Sequence, residues 1–387
     1  MEPIRLTGPA DVLSVLPYQL GYHPSDSLVL CALRGGRLGM IERIDLPPPE
    51  HLAEACSSVV APMVREDPDG VLLVGYETEA GASTEFSDAV RDALVGCGIR
   101  VVDRMVVHDG CWSAPDCASG CCPSAEDARP VPSDVPALAD FVALEVAPLQ
   151  GRDDLAAIVR ADGGLAPAVA ALLARRGRVS TVRSVGGGTR AEAVQRLRHL
   201  ATWALVLDVG VDARPVESLT AEDVADLVDS LLDVGLRDAV IAWLCPGTLP
   251  LELLPDDLAD AVAVSLPAPV WAGRADGGTA GVVAGRRLLA RLQWVVRAVP
   301  DDVAAPVLTV LANYAWWLGD GALTRVALDR ALAHDPGYRL ALLLERMVDL
   351  GLRSPSEPGS GVPAYAEWVQ CPDDPDERSA GSYDGRR

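Results

Sequence analysis

DSLVLCALRGGRLGMIERIDL, residues 26–46, contains the clearest signal of tertiary structure in the sequence. Two runs rich in Leu, Val and Ile, at 26–34 and 37–46, flank the pair Gly35 and Gly36. Glycine accepts the positive φ angles of a tight turn, so two apolar runs around a Gly pair predict an antiparallel β-hairpin.

Helical and strand patterns alternate on both sides of this hairpin. PADVLSVLPYQLG (9–21) predicts a short helix that ends at a glycine. After the hairpin, the patterns predict a helix over 49–64, a strand over 70–76, a helix over 82–98 and a strand over 99–108. The order α-β-β-α-β-α-β predicts an α/β domain with a mixed sheet, in which two crossover units follow the hairpin.

Beyond about residue 137 the strand signals fade and helical apolar stripes replace them. Thr220 and Asp223 have the spacing of a capping box at the start of one such helix. Residues 305–338 resemble one 34-residue tetratricopeptide unit, with compatible residues at Leu311, Gly319, Asp320, Leu328, Ala331, Asp335 and Pro336. We therefore predict an all-helical, tetratricopeptide-like C-terminal domain.

These patterns predict three regions. The α/β domain occupies residues 1–135 and ends in the Pro-rich connection ARPVPSDVP (128–136). The helical domain occupies residues 136–353. Residues 354–387 are rich in Pro, Gly, Ser and Asp and are predicted to form a flexible tail, with AYAEWV as its only apolar island.

Composition limits the compartment and the partners. The net charge is −22, which argues against nonspecific binding to nucleic acid or to an anionic membrane. No uninterrupted apolar stretch is long enough to span a bilayer, and the first residues lack a secretory signal pattern. A cytoplasmic protein with reduced cysteines is therefore expected.

The stretch with the most potential metal ligands or reactive side chains is the Cys-rich loop CWSAPDCASGCCP, residues 111–123. Its C-x3-C pair suits zinc, whereas Cys111 is more loosely spaced and His108 is a candidate fourth ligand. Adjacent cysteine side chains are expected to point in different directions, which would strain one closed cage. A zinc site, a reversible thiol pair and reduced thiols that pack a rigid loop stay open as interpretations. The candidate metal ligands are Cys117, Cys121 and Cys122.

A second candidate site lies around the start of the hairpin. HPSDS (23–27) places a histidine, an acid and a serine on one helix-to-strand turn, but a catalytic triad needs groups that converge from separate elements. Arg43 and Asp45, two apart on one strand, share a face and can pair or bind a polar ligand. The alternative is the solvated side of an amphipathic strand. The candidate ligand-binding residues are His23, Ser27, Arg43 and Asp45.

Several stretches together resemble a known bacterial family, largely actinobacterial: the domain-of-unknown-function family numbered 4192. The stretches are LTGPADVLSVLPYQLGYHPSDSLVL, ERIDLP, the CxxxCCP element, VGLRDAVIAWL and AWWLGDGALTRVALDRALAHDPGYRLA, between Leu6 and Leu352. The resemblance implies a cytoplasmic protein without an assigned activity or cofactor. This chain departs from the family pattern at Ala114 and in lacking a glycine shortly after CCP.

The sequence therefore favours a non-enzymatic binding or scaffold protein that acts on a protein partner through its helical domain. The repeat-like helices and the lack of a convincing catalytic constellation motivate this expectation. The alternative is a small-molecule enzyme or ligand sensor with its site on the α/β domain near the Cys-rich loop.

Overall fold

The computed structural model describes residues 4–6, 8–35, 37–117, 120–143, 146–177, 190–271, 279–354 and 366–368. The chain divides into two compact units. The α/β unit runs from Glu2 to Gly151 and includes the chain from Pro363 onward, and the helical unit runs from Arg152 to Val362.

The α/β unit is built on a mixed sheet. Its strands are β1 Ile4–Leu6, β2 Ser27–Arg34, β3 Arg37–Asp45, β4 Gly70–Glu77, β5 Val101–His108, β6 Cys111–Ser113, β7 Arg129–Pro130 and β8 Ala366–Trp368. Its helices are α1 Pro9–Leu20, α2 Leu52–Glu66, α3 Thr84–Gly96 and α4 Ala139–Ala143. The strand order is β1-β8-β3-β2-β4-β5-β6-β7. β2 is antiparallel to both β3 and β4, and β4 is parallel to β5, so the predicted α-β-β-α-β-α-β order is confirmed from α1 to β5.

The predicted hairpin closes at its glycine pair. Arg34 and Arg37 are the last partners in the β2–β3 register. Gly35 has φ 57°, a left-handed conformation that favours glycine, and its amide donates to Asp69 Oδ2 at 2.5 Å. Gly36 lies outside the described residues.

Both faces of β2 and β4 are buried, which explains why these strands read as continuous apolar runs. Helices α2 and α3 pack on one face of the sheet. The hydrophobic core between them is formed by Leu28, Leu30, Ala32, Cys56, Val59, Val60, Met63, Val71, Leu73, Phe86, Val90, Leu94 and Ile99. Val29, Cys31 and Val74 alternate with these residues, lie on the opposite face and are also buried.

The end of β4 is fixed tightly to the start of α3. A Cβ at Gly75 would lie 2.1 Å from Ser83 Oγ, so only glycine fits this close approach. The buried Glu77 carboxylate accepts from Gly81 N at 2.7 Å and from Ser83 N and Oγ at 2.9 and 2.6 Å. Because these bonds satisfy the buried charge, Glu77 has a structural role.

Four short strands were not predicted: β1, β6, β7 and β8. The prediction placed residues 366–368 in a flexible tail, but they run parallel to β1, and Glu367 pairs with Arg37 of β3. This pairing joins the two ends of the chain, so no local pattern in the sequence indicates it.

The chain after β7 packs against α1 and the residues that follow α1. Ser14 Oγ of α1 donates to Pro132 O at 2.7 Å, and the rings of Tyr18 and Phe141 are 5.2 Å apart. His23 N donates to Leu149 O at 2.9 Å. The compact units accordingly divide between residues 151 and 152, later than the predicted boundary after residue 135.

The second unit is helical, as predicted for the C-terminal half. Its helices are α5 Arg152–Ile158, α6 Ala166–Arg176, α7 Arg190–Leu207, α8 Ala221–Ser230, α9 Val234–Leu244, α10 Asp256–Ser265, α11 Thr279–Arg297, α12 Ala305–Leu318, α13 Gly321–His334 and α14 Arg339–Asp349. The capping box at Thr220 and Asp223 is confirmed, because each side chain accepts from the other residue's backbone N–H. Within the described part of the chain, no helix is both long and apolar enough to cross a membrane.

Helices α12 and α13 pack against each other and are separated by a two-residue turn. Gly319 ends α12 in the left-handed conformation with φ 81°, and Asp320 caps α13 by accepting from Leu323 N at 2.9 Å. The resemblance of this pair to a tetratricopeptide unit stays a prediction.

Candidate functional site

The Cys-rich loop begins with strand β6, which pairs with β5, and contacts with neighbouring residues hold it in place. Trp112 and Ala114 are buried, and Ala114 N donates to Pro123 O at 2.9 Å. Arg104 of β5 donates from Nη2 to Asp116 Oδ1 at 2.9 Å, so the residue just before Cys117 is tied to the sheet.

The loop brings three sulfurs together. Cys117 Sγ lies 3.4 Å from Cys121 Sγ, which lies 3.7 Å from Cys122 Sγ. All three sulfurs lie within 4.8 Å of one another, and each residue is half-buried. The expectation that Cys121 and Cys122 point in different directions is wrong, because the loop turns both sulfurs to one side. Burial, followed by hydrogen bonds with Cys121 and Cys117, raises the pKa of the Cys122 thiol.

The two other ligands considered for this site lie elsewhere. Among the described residues, neither Cys111 nor His108 belongs to the three-thiol group. His108 Nδ1 lies 3.2 Å from the carbonyl oxygen of Glu77, and His108 Nε2 lies 3.5 Å from Asp109 Oδ2. The structure therefore supports a cluster of three thiols that could hold a metal, as the spacing predicted.

The second candidate site lies where β2 begins and β3 and β4 end. Arg43 Nη2 contacts Asp45 Oδ1 at 2.6 Å and donates to Ser25 O at 3.1 Å, while the guanidinium carbon lies 6.0 Å from the centre of the Tyr22 ring. The Arg43 side chain is only 11% exposed, so it is not part of a solvated strand face.

Ser27 occupies the middle of this site. It is fully buried, and within the described part of the chain its Oγ has no hydrogen-bond partner. Its register partners are Asp45 on β3 and Tyr76 on β4, so the three side chains share one face of the sheet. His23 is exposed and is held through its backbone by Leu149 O, at 2.9 Å.

Tyr76 is the residue of this site that sequence reasoning missed. Its hydroxyl is buried and has no partner among the described residues, and Arg43 Nε has none there either. Burial raises the pKa of the Tyr76 phenol, and proximity to Cys31 on the same face raises it further. The only sequence signal was a tyrosine at the end of the apolar run GVLLVGY (70–76), which is ambiguous without the strand register.

Asp26 shows why HPSDS is a structural turn. It has φ 39°, and its Oδ1 accepts from Thr78 N at 2.9 Å and from Thr78 Oγ1 at 2.6 Å. These hydrogen bonds lower the pKa of the Asp26 carboxyl. The carboxylate therefore joins the start of β2 to the end of β4.

Comparison with known proteins places the chain in a family. The family described as domain of unknown function (DUF4192) matches residues 9–355. The chain, an α/β unit followed by a helical unit, belongs to this family. No curated protein and no solved structure matches it.

Proposed function

We propose that the protein is a non-enzymatic binding protein whose α/β unit recognises a small polar ligand at Ser27, Arg43 and Tyr76. The observation that carries this proposal is the row of buried polar atoms where the central strand β2 begins and its neighbours β3 and β4 end. Ser27 Oγ, Tyr76 Oη and Arg43 Nε are all buried without a partner among the described residues.

Energetics favour an external partner for these atoms. A buried donor or acceptor without a hydrogen bond costs about 1–3 kcal/mol, and whole domains are stable by only about 5–15 kcal/mol. A bound molecule with acceptor oxygens for the Arg43 N–H and the two hydroxyls would remove this cost. Ligands also bind beyond the carboxyl ends of parallel strands in α/β sheets, and β4, which is parallel to β5, ends at this position.

Binding is favoured over catalysis by the same geometry. A serine nucleophile requires a base within hydrogen-bond distance, and within the described residues Ser27 Oγ has no such neighbour. His23, the nearest histidine in sequence, is exposed, whereas Ser27 is fully buried.

Native mass spectrometry of the purified full chain tests the small-molecule proposal. We expect a bound small molecule on the wild type, and its loss from the double variant Ser27→Ala, Tyr76→Phe. Ser87→Ala is the matched control, because Ser87 Oγ is also buried without a partner in the described structure but lies on α3. A ligand-free wild type that gains no stability from a panel of small carboxylates, sugars and inorganic phosphate would contradict the proposal.

A protein partner on the helical unit is the second proposal, supported by the outer face of α14. Terminal helices of stacked arrays usually present a polar outer face, but α14 exposes Leu342 and Leu343 at 41% and 59%. The net charge of −22 favours a partner with a basic amphipathic helix. The tetratricopeptide-like pair α12–α13, which packs against α14, would form the frame of this surface.

Reciprocal binding with purified components tests the second proposal. A partner captured by the wild type must bind the purified chain directly and lose binding to Leu342→Asp, Leu343→Asp. Val211→Asp, at a side chain that is 93% exposed on the same unit, should bind normally. Equal binding by the α14 variant, or self-association as the only interaction, would contradict the proposal.

A further inference from the structure

We infer that Cys117, Cys121 and Cys122 form a three-thiolate site for one zinc ion, with the fourth coordination position open to water or an exchangeable ligand. This site is separate from the one formed by Ser27, Arg43 and Tyr76, and it does not depend on the function proposed above.

Sulfur geometry is the first argument. Tetrahedral zinc with Zn–S bonds of about 2.3 Å places neighbouring sulfurs about 3.8 Å apart. The sulfurs lie 3.4 Å apart in Cys117 and Cys121 and 3.7 Å apart in Cys121 and Cys122. A disulfide would need about 2.05 Å. The third pair, Cys117 and Cys122, lies within 4.8 Å. Small rotations of the cysteine side chains therefore suffice for one zinc ion to bond all three sulfurs.

The backbone of the loop is arranged before any ion binds. Cys117 N donates to Ala114 O at 3.2 Å, and Gly120 N donates to Cys117 O at 3.4 Å. Gly120 has φ 64°, which reverses the chain just before the pair Cys121 and Cys122. These contacts hold the described residues on both sides of the cluster, which lowers the conformational entropy lost on binding.

The donor set selects the class of ion. Thiolates are soft ligands that favour zinc and similar ions over magnesium or calcium, which prefer oxygen. Binding would exchange three S–H bonds for three Zn–S bonds and release three protons to solvent, so the centre would carry a net charge of −1. No oxidant or reductant takes part.

The fourth position distinguishes this site from a closed structural zinc site. Among the described residues, only these three Cys, His, Asp or Glu side chains form such a group. Zinc with three protein ligands keeps an exchangeable position, as in catalytic and regulatory centres, whereas structural zinc usually has four protein ligands. We therefore expect an ion that a chelator removes without unfolding the chain.

Metal titration of the reduced full chain tests the inference. Zinc is removed with a chelator, and Zn²⁺ is then titrated in competition with a chromophoric indicator, while circular dichroism monitors the fold. We expect one zinc per chain, and an affinity that falls at least about 100-fold in Cys121→Ser, beyond the loss typical of an outer-sphere residue. Cys111→Ser is the matched control and should bind like the wild type, because its sulfur is outside the cluster.

Cobalt substitution reads the ligand set directly. Co²⁺ bound to the wild type should show thiolate-to-cobalt charge-transfer absorption, which Cys117→Ser should weaken and Cys111→Ser should leave unchanged. The inference is overturned if the reduced wild type binds no zinc, or if Cys121→Ser binds it equally well. It is also overturned if Cys117 and Cys121 stay disulfide-bonded under reducing conditions.

Discussion

Several buried polar side chains in the helical unit bind one another, whereas several polar atoms in the α/β unit have no partner among the described residues. Asp226, whose side chain is 4% exposed, contacts Arg176 Nη1 at 2.9 Å and Arg198 Nε at 2.7 Å. Trp203 Nε1 donates to Ser230 Oγ at 2.9 Å. The polar chemistry of this unit is used to hold helices together.

The α/β unit shows the opposite arrangement. Ser27 Oγ and Tyr76 Oη are buried without a partner in the described residues, and three thiols are gathered in one anchored loop. Unsatisfied buried groups cost stability, so those at the ends of β2 and β4 are the basis of the proposed ligand site. The buried ion pairs of the helical unit, in contrast, have a structural role.

The largest expected effect is the loss of the Asp226 ion pairs. Asp226→Ala leaves Arg176 and Arg198 without their buried partner and should lower the free energy of unfolding by about 3 kcal/mol. Asp229→Ala, whose carboxylate is more exposed and contacts Arg176 at 2.6 Å, should cost less than about 1 kcal/mol. Urea denaturation measures both. Equal, small losses would show that the interior of the helical unit is not held together by this network.

Gly75→Ala should lower the free energy of unfolding by about 1–3 kcal/mol, because the new Cβ overlaps Ser83 Oγ. Gly96→Ala is the matched control: it lies at the end of α3 with no atom within 4 Å of the new Cβ. That change should stabilise the chain by about 0.5–1 kcal/mol. Thermal denaturation compares the two, and a neutral Gly75→Ala would contradict the close approach of β4 and α3.

A Tyr→Phe substitution should change the free energy of unfolding in opposite directions in the two units. Tyr76→Phe removes a hydroxyl without a partner in the described structure, so the free energy of unfolding of the ligand-free chain should rise by about 1 kcal/mol. Tyr314→Phe removes a buried hydroxyl that donates to Gly285 O at 3.2 Å, so it should lower the free energy of unfolding by about 1 kcal/mol. Denaturant midpoints under ligand-free conditions give both values. A loss at position 76 would show that its hydroxyl is already satisfied inside the unit.

The smallest expected effect is a dependence on pH in the helical unit. Burial lowers the pKa of His199 below its ordinary value of 6.5, so the unfolded chain binds this proton more readily than the folded one. The stability that depends on neutral His199 is fully present above pH 6.5 and is lost as the pH falls below 6.5 and through the lowered pKa of the folded chain. His199→Gln should flatten this part of the stability profile, and His51→Gln, at an exposed histidine, should not. Matching profiles for wild type and His199→Gln would contradict the prediction.

The sequence predicted what local patterns determine. The hairpin around Gly35 follows from alternation and turn chemistry within one short stretch, and the capping box at Thr220 is equally local. Strand β8 depends on pairing between the two ends of the chain, which no window of sequence contains. Some residues of the candidate sites were likewise indicated by local spacing, whereas others depend on long-range pairing.

Spacing alone indicated Cys117, Cys121 and Cys122, but the convergence of their sulfurs depends on turns closed by backbone hydrogen bonds. The salt link from Asp116 to Arg104 adds a constraint from a neighbouring strand. Tyr76 could not be predicted, because its place beside Ser27 depends on the register between β2 and β4.

Hydrogen-exchange mass spectrometry on the full chain tests most directly whether the α/β unit carries the binding chemistry. The chain as purified is compared with the same chain after gel filtration in a chelator, which removes small molecules and metal. We predict faster exchange after removal in peptides covering 22–30, 72–78 and 111–123, with no change in α12 and α13. A change confined to the helical unit, or no change at all, would contradict the account.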